Sequence, residues 1–138
     1  MALDQKSVLV VDDEPDILHV IKQSLELEGG VSQVYAFTRP LLALEHFKLN
    51  YSDCAIVLSD IRMPGMTGFE FIKRIKQINP TTKALLMSAF EIDDSELSMA
   101  LGSIMVDDFI QKPVSPRQLT SVIQRHILSN VGNCNTSI

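Results

Sequence analysis

Short apolar runs of strand character alternate with segments of helical period along nearly the whole chain, and this alternation restricts the fold more than any other feature. Val8-Leu9-Val10-Val11 is short and β-branched, as for a strand buried on both faces, and stops at Asp12-Asp13-Glu14-Pro15. Helical spacing then appears at Ile17, Val20, Ile21 and Leu25, and Gly29-Gly30 closes that segment. Val31 to Phe37 reads as a second strand. Thr38 is placed to cap the next helix, which has Pro40 in its first turn and Leu41, Leu44 and Phe47 inside. Cys54 to Leu58 forms a third strand ending at Ser59-Asp60, followed by a turn-rich loop, Ile61 to Met66. Thr67-Gly68-Phe69-Glu70 has capping-box spacing and opens a helix with Phe71, Ile75 and Ile78 on one side, ended by Asn79-Pro80.

Lys83 to Met87 gives a fourth strand leading to Ser88-Ala89-Phe90. A fourth helix, marked by Leu97, Ala100, Leu101 and Ile104, is entered through the acids Glu91, Asp93, Asp94 and Glu96. Those acids read as a solvated helix start, with a partner surface as the alternative. Asp107 to Gln111 is a fifth strand ending at Lys112-Pro113. A second capping box, Ser115-Pro116-Arg117-Gln118, opens the last helix, with Leu119, Val122, Ile123 and Ile127 as its stripe. The expected organisation is one domain over 1–128 and a polar, flexible tail over 129–138.

Five strands alternating with five helices imply an α/β fold of βα units, with a mostly parallel sheet covered on both faces. Ligands of such sheets bind beyond the carboxyl ends of the strands, where the strand order reverses. Asp12 and Asp13 follow the first strand, Asp60 the third, Ser88 the fourth and Lys112 the fifth. Each alone has a plain reading: helix caps, a turn former, a packing serine, a surface lysine. Together they say more. If the first and third strands are neighbours, three carboxylates converge and repel unless a cation occupies the site. Oxygen-only ligands suit a hard, partly hydrated Mg²⁺ better than a closed Ca²⁺ cage. His19, His46 and His126 lack the paired spacing of a zinc site. A carboxylate nucleophile, Mg²⁺, a lysine and a hydroxyl together describe a site for a phosphoryl group.

Composition excludes other classes. With 12 Lys+Arg against 17 Asp+Glu, a formal charge of −5 argues against nucleic-acid binding driven by phosphate neutralisation. No apolar run approaches the ~20 residues of a membrane span, and no signal peptide is visible, so a cytoplasmic location is expected. Cys54 and Cys134 make no disulfide framework.

Four stretches carry a resemblance: Val8 to Pro15, Leu58 to Gly68, Met87 to Ala89 and Asp107 to Pro113. In that order, over about 8–128, the chain resembles a response-regulator receiver domain of two-component systems, similar to the single-domain chemotaxis regulator. The resemblance implies a flavodoxin-like, doubly wound (βα)5 three-layer sandwich with a parallel five-stranded sheet of order 2-1-3-4-5. It implies that Asp60 accepts a phosphoryl group from a sensor histidine kinase or phosphotransfer protein. Asp13, Asp60 and the backbone carbonyl of Arg62 would bind Mg²⁺ (Mn²⁺ as an alternative), and Asp12 would act mostly through water. Lys112, Ser88 and Ala89 would meet the phosphoryl group, and Phe109 would swing between exposed and buried rotamers. Pro64 and Gly65 would shape the turn behind the acceptor, and the Lys112–Pro113 bond would be cis.

A switched face built from the fourth strand and helix and the fifth strand and helix would bind an unknown downstream protein, and leaves a homodimer through that face open. Met105-Val106 stand where receivers commonly carry Gly-Ala, and Ser88 and Phe109 replace the commoner Thr and Tyr. No output module is expected after the last helix, as in a stand-alone regulator or a piece of a longer chain. Arg62 and Phe90 flank the acceptor pocket. Two other functions compete. One is a Mg²⁺-dependent phosphatase or phosphotransferase with an aspartyl nucleophile, disfavoured because Arg62 occupies the position where such enzymes carry an acid. The other is a non-phosphorylated receiver-like interaction module, disfavoured because all five site residues are present.

Overall fold

The computed structural model describes residues 6–28, 31, 33–89, 106–112 and 115–136, with side chains through Ile127 in the last stretch. The five apolar runs form β1 (Ser7–Val11), β2 (Gln33–Phe37), β3 (Cys54–Asp60), β4 (Lys83–Ser88) and β5 (Asp108–Gln111). They make one parallel sheet of order β2-β1-β3-β4-β5. The helices described are α1 (Pro15–Glu28), α2 (Pro40–Asn50), α3 (Gly68–Ile78) and α4 (Pro116–Thr136), with a short 3₁₀ turn at Tyr51–Asp53. The helix expected across 91–104, Phe90 and Pro113 lie outside the described residues.

Alternation along the strands divides the core into two layers. Val8, Val10, Ile56, Leu58, Leu85, Met87 and Ile110 point to the side of α1 and α4, where Leu18, Ile21, Leu25, Leu119 and Ile123 close over them. Leu9, Val11, Val57, Ala84 and Leu86 point the other way, under Ala43, Leu44 and Phe47 of α2 and Phe71, Ile72 and Ile75 of α3. Both faces are therefore covered, as a parallel sheet with crossover helices requires. The direction of strand succession reverses between β1 and β3, which opens a crevice at their carboxyl ends.

Local signals set several boundaries. Ser115 and Gln118 form a reciprocal capping box: the Gln118 N–H donates to Ser115 Oγ at 3.1 Å and the Ser115 N–H to Gln118 Oε1 at 3.3 Å. The Glu70 N–H donates to Thr67 Oγ1 at 3.2 Å, so Thr67 caps α3. Thr38 does not cap α2. Arg39 occupies that position with extended backbone and no side-chain cap, because the residue before Pro40 is pushed out of helical geometry. Pro40 brings no N–H to satisfy at the first helical position. Strand β2 starts at Gln33 rather than Val31, β4 runs on to Ser88, and β5 begins at Asp108. The helical backbone of α4 reaches Thr136, through most of the segment expected as a tail. No helix among the described residues is long and apolar enough to cross a membrane.

Candidate functional site

The parallel register aligns the carboxyl ends of four strands in one row. Val11 pairs with Ser59, Asp60 with Met87, and Ser88 with Gln111. Asp12 therefore comes beside Asp60, and Lys112 beside Ser88, whose carbonyl accepts the Lys112 N–H at 2.8 Å. Asp12 is also tied to the sheet through its own N–H, which donates to the Phe37 carbonyl at 3.1 Å.

Asp12, Asp13 and Asp60 each offer a carboxylate oxygen, and these atoms lie within 4.8 Å of one another. Asp12 is fully buried, Asp60 is 7% exposed, and Asp13 is the more open of the three. Each buried acid has one oxygen committed to the backbone. Asp12 Oδ1 accepts the Glu14 N–H at 3.0 Å, and Asp60 Oδ1 accepts the Ile61 N–H at 2.9 Å. The other oxygens turn to Lys112, whose Nζ sits 2.6 Å from Asp12 Oδ2 and 3.5 Å from Asp60 Oδ2. Three carboxylates against one ammonium, which pairs with two of them, leave a surplus of negative charge, and the donors are all oxygens. That set fits a hard divalent cation.

Electrostatics sharpen the roles. Burial pushes the Asp60 carboxyl up, Lys112 pulls it down and the charge on Asp12 pushes it up again; the net is above the ordinary carboxylate range. Burial alone would lower Lys112, but its hydrogen bond and attraction to Asp12, with the charge of Asp60, reverse that and raise it. Lys112 is thus a firmly held cation at neutral pH, and Asp60 is a carboxylate whose charge is poorly compensated.

The other expected residues surround this centre. Ser88 is buried at the end of β4, with Ala89 exposed just beyond it. Phe109 on β5 is half-buried against the α2–α3 core layer. Gly65 has φ +85° beside Pro64, the left-handed geometry of a tight turn behind Asp60. Arg62 has an exposed side chain two residues after Asp60. Two residues belong to the site that the sequence reading passed over. Ser59 Oγ, fully buried, donates to the Asp60 carbonyl at 2.9 Å. Gly68 donates its N–H to the Ile61 carbonyl at 2.7 Å, and a Cβ there would collide with the Asp60 carbonyl and sit 2.9 Å from Ile61 Cα. The signal for Gly68 was its place directly after the Thr67 cap, where a glycine is not otherwise needed.

Residues 8–124 match the response regulator receiver domain. A 14.6 kDa protein of Leptolyngbya boryana, named for its place 3′ of sodA1, is 31% identical over 130 residues, 92% of this chain and 94% of that one. Response regulator SaeR of Staphylococcus epidermidis is 34% identical over 81% of this chain, which spans 46% of SaeR. A CheY-like receiver domain structure from Methanospirillum hungatei superposes with a TM-score of 0.83 at 26% identity, covering 93% of this chain and 98% of that one. Fold, strand order and sequence agree, and the chain belongs to the family of response regulator receiver domains.

Proposed function

We propose that Asp60 is the phosphoryl acceptor of this receiver and that Mg²⁺ binds at Asp12, Asp13 and Asp60. The observation that carries this reading is the convergence of three carboxylates within 4.8 Å of one another, two of them, Asp12 and Asp60, paired with a lysine held at the fifth strand's end. Receiver domains of response regulators interact with histidine kinases and are signalling modules rather than enzymes. The chemistry is in-line transfer: a carboxylate oxygen of Asp60 bonds to phosphorus as the P–N bond of a phosphohistidine breaks. The bonding pair leaves on the imidazole nitrogen, which takes a proton from water. Asp13 and Asp60, with the carbonyl of Arg62, would hold the metal, and Asp12 would act through water. Mg²⁺ held there would supply charge neutralisation for the transfer.

Lys112 completes that neutralisation from the protein side. Its Nζ already reaches both Asp12 and Asp60, which places its charge beside the acceptor carboxylate. Water attacking phosphorus later breaks the acyl O–P bond, returns the electron pair to Asp60 and releases inorganic phosphate. Ser88 and Phe109 read the phosphoryl group out to a protein-binding face, a two-state element biased by the added charge. Upstream stands a sensor histidine kinase or phosphotransfer protein and downstream a protein target, and this chain acts in the cytoplasm.

Intact mass after incubation with acetyl phosphate tests this reading. The chain is expected to gain one phosphoryl group with Mg²⁺, to gain none with a chelator, and to gain none as Asp60→Asn. Multiple turnover of a free phosphate ester would favour an enzyme instead.

A further inference from the structure

Helix α2 is apolar on both sides. Its inner face, Pro40, Ala43, Leu44 and Phe47, is buried in the core. The opposite face carries Leu42 and Leu49 at 48% and 85% exposed, and Leu41, 61% exposed, lies on the flank. Glu45 and His46 flank the two leucines, so this outer face is apolar in the middle and polar at its sides. Beside this face the half-buried rings of Tyr35 and Phe37 on edge strand β2 pack at a tilt against His46 of α2, with centroids 4.2 and 5.5 Å away, which extends the apolar surface towards the sheet edge.

We propose that the outer face of α2 is a self-association surface that pairs with α2 of a second copy in antiparallel fashion about a two-fold axis near Glu45 and His46. At 1.5 Å rise and 100° per residue, Leu42 and Leu49 lie one above the other, two turns apart. Antiparallel pairing about that axis sets Leu42 of one copy against Leu49 of the other, and the reverse, as an isologous contact demands. The same axis brings Glu45 of one copy within a turn of Lys48 of the other. Both charges therefore meet the opposite sign across the axis. Neither has an ion-pair partner within its own chain among the described residues. The antiparallel arrangement also opposes the two helix dipoles.

The helix is only 11 residues long, so the contact is smaller than the roughly 800 Å² per partner of a standard stable interface, and the dimer is weak. Sedimentation equilibrium of the full chain at near-physiological salt, from about 20 µM to about 1 mM, covers the range of weak association, with a dissociation constant on the order of 100 µM. Leu49→Glu removes a side chain that touches little in the monomer, and is expected to weaken association at least about tenfold. Glu45→Lys and Lys48→Glu alone each create two like-charge contacts and weaken it, and the double exchange restores it. A chain that stays monomeric throughout, or a dimer indifferent to Leu49→Glu, overturns the proposal. The inference stands apart from the phosphoacceptor reading, because Leu49→Glu should still take the phosphoryl label on Asp60.

Discussion

Lys112 and Asp12 are 100 positions apart in sequence and 2.6 Å apart in space. Removing the lysine leaves a fully buried carboxylate with no counter-charge, which costs several kcal/mol in a dry interior and less here, where the crevice opens to water. Lys112→Ala should lower the unfolding free energy in urea by about 1–3 kcal/mol without metal, with added Mg²⁺ recovering part of the loss. An unchanged midpoint would show that the pair contributes nothing. Asp60 predicts the opposite sign. Its carboxyl is held above the ordinary range, so the folded chain binds that proton more tightly than the unfolded chain does. Stability is therefore lost as pH rises from about 4 through the raised value, and the whole cost stands at neutral pH. Asp60→Asn should raise the metal-free melting temperature at pH 7, with the gain shrinking in acid. A lower melting temperature at pH 7 would contradict this electrostatic account. Which residues stand at the strand ends was legible from the sequence, because each follows directly on an apolar run. Their partners were not. The Asp12–Lys112 bond depends on registers across β1, β3, β4 and β5 that no local pattern encodes.

At the scale of elements, α3 is held against the acceptor's backbone by a glycine with no room for a side chain. Gly68→Ala drives a Cβ into the Asp60 carbonyl, so α3 or the end of β3 must shift. The expected cost is about 1–3 kcal/mol, with slower labelling of Asp60. Gly65→Ala is the informative contrast: its Cβ meets open space, and only the left-handed φ of +85° is strained, for roughly 1 kcal/mol. Chemical denaturation of both variants decides between crowding and backbone strain; equal losses would remove the close-approach argument for Gly68. Strand and helix identities were legible because short continuous apolar runs, as of strands buried on both faces, differ sharply from a 3.6-residue apolar period. The Thr38 cap was misread because a favoured cap residue stood near Pro40, and the proline's constraint on Arg39 outweighed it. The end of α4 was misread because the apolar stripe stops at Ile127 while the helical backbone does not.

For the whole molecule, the sheet separates two surfaces. β2 and β5 are its opposite edges, so the α2 face proposed for self-association lies away from Phe109 on β5. Pairing through α2 leaves the β5 side open to other proteins in both copies. The charge of the chain also gains a location. Asp12, Asp13 and Asp60 against Lys112 leave the site two charges negative, part of the overall −5, and a divalent cation brings the site near neutrality. That coupling of metal, lysine and acceptor rests on Asp60 as the atom that takes the phosphoryl group. The direct measurement is to phosphorylate the chain with acetyl phosphate and Mg²⁺, reduce the acyl phosphate with borohydride, and locate the modified residue by fragment mass. The account predicts modification at Asp60 alone; a phosphoryl group on any other residue, with Asp60 unmodified, contradicts it.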